Sequence, residues 1–351
     1  MADAYIASLC DRVRDHAARK APLRIRGGGT KDFYGAARDG EVLDVSPYSG
    51  IVAYEPKELV VTVRAGTPLR DLEAELASQR QMLAFEPPHF GEGATIGGTV
   101  ACAFSGPRRP YAGSLRDFVL GTRVVNGKGE DLSFGGRVIK NVAGYDVSRL
   151  MAGALGTLGV ITEISFKVLP RPAAEATLAF DLEEEAAIRQ VNLWAGQPLP
   201  LSATAWQDGQ LRVRLSGAPT AIAAAKAKMG GEQIDAGDYW EALREHRLPF
   251  FSKPDALWRL SMPQTAARVE TPKAQLIEWG GGLRWTAGPV NTLDLRSTVE
   301  RLGGHATIFR GGNGADGIFH PLRPALAKIH KRLKLAFDPA GIFNPGRMYD
   351  F

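Results

Sequence analysis

The chain has 351 residues, 44% hydrophobic and 23% charged, with 43 Lys and Arg against 38 Asp and Glu. That is enough chain for two lobes with their own cores, and a net charge of +5 without any basic run or aromatic-interleaved stripe argues against nucleic acid as the partner. Two cysteines exclude a disulfide framework and a four-cysteine iron–sulfur cluster within the chain, and no apolar run approaches the length of a membrane span.

In chain order, Met1 to Arg19 carries Ile6, Leu9, Val13 and Ala17 at helical spacing. This predicts an amphipathic helix without the apolar core of a signal peptide, and so a cytoplasmic chain. Pro22 to Arg26 reads as a short strand running into Gly27-Gly28-Gly29-Thr30-Lys31. Such a loop exposes successive N–H groups and can cup an anion as a backbone nest. Its bland alternative is a flexible surface turn. Short strands follow at Val42–Val45, Ile51–Tyr54 and Leu59–Arg64. Thr67 and Pro68 are placed to open a helix that presents Leu69, Leu72 and Leu76 on one face.

The stretch Gly91 to Gly113 holds Gly91, Gly93, Gly97, Gly98 and Gly106 with little charge. Because glycine costs backbone entropy on folding, this density predicts a loop against which something packs closely. Val119–Asn126 is a strand and Gly127–Gly129 a turn. Gly153, Gly156 and Gly159 then punctuate the approach to the strand Val160–Phe166, and Pro170 and Pro172 mark a lobe boundary. Beyond it, short strands at Leu178–Asp181, Leu211–Leu215, Leu257–Met262 and Leu293–Leu295 alternate with helical runs at Glu183–Trp194 and Thr220–Met229. A basic helix over Ala325–Leu335 precedes the closing FDPAGIFNPGRMYDF. The order predicts an α+β chain rather than a doubly wound sheet.

Gly312, Gly314 and Gly317 spell a formal G-x-G-x-x-G, but Ile318-Phe319-His320-Pro321 cannot open the helix that this fingerprint needs, so a loop is expected. The six histidines include no H-E-x-x-H or H-x-H pair, which leaves a metal site unsupported. No G-x-S-x-G elbow is present, and neither cysteine sits in a reactive context.

Four runs together are specific: Ile25 to Lys31, Ala94 to Ala101, Lys140 to Asp146, and Gly156 to Glu163. The chain resembles the vanillyl-alcohol oxidase / p-cresol methylhydroxylase superfamily of FAD-binding proteins, strongly over residues 23–170. Within it the chain is similar to the FAD-binding subunits of glycolate oxidase (glycolate dehydrogenase). The runs Gly303 to Arg310 and Phe343 to Arg347 extend the likeness more loosely.

The resemblance implies a two-subdomain FAD-binding domain over residues 1–172, an α+β cap with an antiparallel sheet over 173–320, and a helix and tail over 321–351 that return to the first domain. It implies non-covalent FAD, since no histidine lies in either glycine loop. Arg26, Gly27, Gly28, Gly29 and Thr30 would surround the pyrophosphate together with Thr95, Ile96, Gly97, Gly98 and Thr99. Ser105 and Gly106 would lie along the flavin, and Gly156, Thr157, Gly159 and Ile161 would flank the adenosine end. A protein of this kind would serve oxidation of a 2-hydroxyacid, glycolate to glyoxylate, by hydride transfer to flavin N5. Arg259, Arg296 and Arg310 are candidates for gripping the carboxylate, because arginine binds carboxylates bidentately; no catalytic base is named. Relatives of the D-lactate type carry an H-x-G-D-G-N-x-H motif, whereas the corresponding His305-Ala306-Thr307-Ile308 has no second histidine. With no cluster cysteines either, electrons would leave through a second flavin subunit and an iron–sulfur subunit, or a diffusible acceptor, and any peripheral membrane association would run through these partners. A relay or structural flavin subunit, and a standalone flavin oxidase of another alcohol or sugar, stay open as alternatives.

Overall fold

The computed structural model describes residues 2–36, 39–136, 146–252, 255–271, 275–312, 314 and 316–350. The quoted run Lys140 to Tyr145 lies outside them.

The helix Ala2–Arg19 buries Ile6, Leu9 and Val13 against Leu23, Leu43, Ile342 and Phe343. The strand Leu23–Arg26 pairs in parallel with Glu41–Asp44. Beside this small unit stands a five-stranded antiparallel sheet. Its order is Ile51–Glu55, Val60–Arg64, Val160–Lys167, Val119–Val125, Asp131–Gly135. Val61, Val63, Ile164 and Phe166 point from it into a core closed by Leu69, Leu72 and Leu76 of the helix Leu69–Ser78, all fully buried. The expected cap is displaced by one residue. Pro68 occupies the N-cap position, and Thr67 instead accepts a 2.8 Å bond from Gly50 N, tying two loops together.

The second sheet has eight antiparallel strands in the order Glu232–Ile234, Ala174–Asp181, Gln210–Gly217, Leu201–Gln207, Gln275–Glu278, Leu283–Ala287, Ala256–Ser261, His305–Gly311. Helices Glu184–Ala195 and Pro219–Met229 pack on it through Val191, Trp194, Ile222 and Ala225. The expected strand Leu293–Leu295 is instead the start of the helix Thr292–Arg301. Asn291 caps it by accepting from Leu293 N and Asp294 N, a local bond that overrides the β-forming pattern.

A charge network ties the loops of Glu86 and Arg108 to the second sheet. Glu86 accepts from Arg108 at 3.1 Å and from Arg214 at 2.7 Å, and Arg108 reaches Glu175 at 2.6 Å. An aromatic cluster, including Tyr34, Trp240, Trp279, Trp285 and Phe309, fills the space between the lobes. After the helix Pro324–Phe337 the chain returns to the first strand, where Phe343 bridges to Leu23. No described helix is long and apolar enough to cross a membrane.

Candidate functional site

The first glycine run folds as an open loop at the end of Leu23–Arg26, and its N–H groups are the site's defining donors. Those of Gly27, Gly28, Gly29 and Thr30 meet no acceptor among the described residues. They line a cleft together with Lys31, Asp32, Thr95, Gly97, Gly98, Gly156, Gly159 and Ile161. Residues from three distant parts of the chain therefore share one wall.

The second glycine run is not an open loop. Ile96–Cys102 is a short helix capped by Thr95, whose hydroxyl accepts from Gly98 N at 3.3 Å. Gly97 N donates to Ala65 O and Ile96 N to Thr67 O, so these donors are spent within the protein. Ile96 and Thr99 are buried behind the wall and do not line the cleft. The glycine spacing reads as a loop because it does not reveal that a Thr cap can hold Gly97 and Gly98 in one helical turn.

Contrary to the sequence-based expectation, packing between main chains explains several of the glycines. A Cβ on Gly28 would lie 1.4 Å from Gly93 O, and one on Gly97 would lie 2.8 Å from Ala65 Cβ. The two loops press directly on each other.

Other expected residues fall elsewhere. Thr157 bonds to Ala154 O and faces the groove beside the C-terminal helix. Ser105 accepts from Leu115 N, and both Ser105 and Gly106 line a second, small chamber. That chamber also contains Phe90, Phe104, His246, Arg259, Glu278 and Trp285. Of the three candidate arginines, only Arg259 lines it. Arg296 is corrected to a structural role, since its guanidinium donates to the carbonyls of Asp316 (2.6 Å) and Gly317 (2.7 Å). Arg310 lies over the Phe33 ring at 4.4 Å.

The chamber's ionisable groups are tuned by burial. Glu278 accepts from Trp285 Nε1 at 2.8 Å, and burial pushes its carboxyl up to about 7. His246 stacks on Phe251 with ring centres 3.9 Å apart; burial, then the charges of Arg310 and Arg259, hold its pKa well below the usual histidine value. Its Nδ1 is buried without a hydrogen-bond partner among the described residues. Arg259 makes no hydrogen bond or ion pair among the described residues. No group of three or more His, Cys, Asp or Glu among the described residues could hold a metal.

Sequence reasoning missed Lys31, Cys102, Asn344 and Arg347, which also line the cleft. Asn344 accepts from Ile25 N (2.9 Å) and donates to Leu155 O (2.7 Å), stitching the tail into the wall. The run Phe343 to Arg347 belongs to the resemblance, but its spacing carries no sign of a partner 319 residues away.

A cleft with four unpaired backbone donors and flanking cations fits the diphosphate of a dinucleotide. Residues 5–135 match the family described as FAD binding domain. Glycolate oxidase subunit GlcE of Escherichia coli (strain K12) is 49% identical over 345 residues, covering 98% of this chain and 97% of that one. Glycolate oxidase subunit GlcD of Bacillus subtilis (strain 168) is 33% identical over 175 residues, 49% of this chain and only 36% of its own length. In fold, p-cresol methylhydroxylase with substrate bound superposes at a TM-score of 0.73 and 16% identity, covering 98% of this chain and 87% of that one. Since the likeness to the Escherichia coli protein runs through both lobes and the returning tail, the chain belongs to the glycolate oxidase subunit GlcE family.

Proposed function

We propose that the chain is the FAD-carrying subunit of a complex that oxidises glycolate, or a similar small 2-hydroxyacid, to the 2-oxoacid. The observation that carries this is the run of unpaired donors from Gly27 to Thr30. FAD, bound non-covalently, supplies a two-electron acceptor for hydride. Residues 1–172 hold it, 173–320 form the cap, and 321–351 return to complete the cleft. A second flavin subunit and an iron–sulfur subunit take the electrons onward.

In this reading the chamber receives the substrate. Arg259 binds the carboxylate, because it is a cation there without an acceptor of its own. His246, neutral and with Nδ1 unpaired, accepts the hydroxyl proton. The aromatic walls exclude water.

The isolated chain tests both parts. It is expected to be yellow, to release free FAD on acid denaturation, and to bleach when glycolate is added. A colourless protein that takes up no FAD sinks the proposal. A yellow protein that glycolate leaves oxidised turns it into a relay subunit, a reading favoured by the departure of His305-Ala306-Thr307-Ile308 from the H-x-G-D-G-N-x-H motif. Arg259→Met is expected to raise KM for glycolate roughly 10- to 100-fold while FAD content stays unchanged, from loss of about 1.5–3 kcal/mol of charged hydrogen bonding. A KM unchanged in that variant removes Arg259 from the site.

A further inference from the structure

Lys31 follows the glycine nest directly, yet it behaves unlike the arginines around it. Only 6% of it is exposed. Its ammonium donates to His89 O at 3.1 Å and approaches Thr30 Oγ1 at 3.4 Å. Among the described residues it has no ion pair. Glu245 is a carboxylate that bears on it electrostatically, but that group is held by His89 N, Phe90 N and Arg244. Two neutral acceptors leave a buried ammonium undercompensated.

Lys31 also stands at a particular place. It lines the glycine cleft, and its ammonium lies 5.9 Å from the centre of the Phe90 ring, which lines the chamber of Arg259 and His246. Only the Phe90 ring therefore separates its ammonium, on the cleft wall, from the chamber.

We propose that Lys31 is the fixed counter-charge for the negative charge that the flavin ring gains on reduction, and so a residue that sets the cofactor's potential. The assignment rests on the FAD reading above. Oxidation of a 2-hydroxyacid releases two electrons and two protons. Both electrons and one proton reach the ring as hydride, and the hydroxyl proton leaves through the chamber. The ring is left with one extra negative charge, and a buried cation at the junction stabilises that state over the neutral oxidised one. Burial lowers the Lys31 pKa, which makes an anionic neighbour the natural means of keeping it charged.

An anion at this spot has two sources within one cofactor, the diphosphate and the reduced ring, and the test separates them. Lys31→Met and Lys31→Gln are prepared in the full chain, the second retaining a donor for His89 O. FAD and ADP affinities are measured by titration, and midpoint potentials by spectroelectrochemistry. The expected result is FAD affinity within threefold of wild type with at least a tenfold loss in the reduction equilibrium. That loss is a fall of about 30 mV or more for a two-electron couple. Lys31→Arg is expected to restore the potential. Matched tenfold losses of FAD and ADP affinity at constant potential would show that Lys31 serves the diphosphate and overturn the assignment, as would no change in either quantity.

A measurement on the wild-type protein keeps the idea testable if the variants do not fold. With Cys102, Glu245, Arg26, Asp32 and Arg347 as the other ionisable groups near Lys31 or on its cleft wall, an anionic reduced ring takes up one proton per two electrons. The potential should then fall by about 30 mV per pH unit between pH 5 and 6. A slope of about 60 mV means that a second proton neutralises the ring, and refutes the proposal. Failure of the wild-type chain to bind any FAD would instead refute the functional reading beneath it.

Discussion

Gly28 and Gly98 line the same cleft but carry different constraints. At Gly28 a methyl group would overlap the Gly93 carbonyl, so the loops would have to part. Gly28→Ala is expected to cost about 3 kcal/mol of stability by overpacking, read as a lower urea midpoint. At Gly98 the nearest atom to an added methyl is Thr95 Oγ1 at 3.3 Å, and the residue lies inside a helical turn. There alanine's helix preference of about 1 kcal/mol offsets the tight contact. Gly98→Ala should leave the urea midpoint within about 1 kcal/mol of wild type yet lower FAD affinity at least about tenfold, about 1.4 kcal/mol, because its methyl faces the cleft. Unchanged FAD affinity in this variant would mean that the helix does not touch the cofactor.

Among the elements, the start of the returning tail is tied by a polar knot. Asp338, fully buried, accepts from Ile342 N (3.1 Å) and Phe343 N (2.8 Å), and Lys334 donates to Asp338, Thr157 O and Phe343 O. Burial lowers the Lys334 pKa and the charge of Asp338 opposes it. Asp338→Ala leaves that ammonium without its carboxylate and is expected to cost about 3–5 kcal/mol, with faster proteolysis of residues 338–350 as a second readout. The first-lobe elements were legible because their signals are local: Leu69, Leu72 and Leu76 fall on one helical face, and Val60–Arg64 is a run of β-formers. What escaped depends on long-range geometry or on a single cap. Asn291 made a helix from a leucine-rich run that reads as strand. The cleft was legible as a set of glycines, whereas Lys31, Asn344 and Arg347 joined it through contacts that no spacing records.

For the molecule as a whole, the chamber couples pH to stability. The Glu278 carboxyl is raised to about 7 from 4.5 by burial, so over that window the folded state holds a proton that the unfolded chain has released. Stability from this group is complete below about pH 4.5 and declines toward pH 7, by about 3 kcal/mol in total. His246 has the opposite sign, since its lowered pKa makes protonation favour the unfolded chain below pH 6.5. Glu278→Gln should remove the decline, making the change in urea midpoint from pH 5 to pH 7 more positive than in wild type. An identical change in both proteins would show that Glu278 is ionised throughout. The stitch made by Asn344 reaches furthest. Because the wall behind Gly156 is completed by a residue 319 positions after Ile25, closing it means paying a long-loop entropy late in folding. Until the tail has docked, the cleft stays open on one side. Apoprotein made without flavin should therefore accept it afterwards without unfolding.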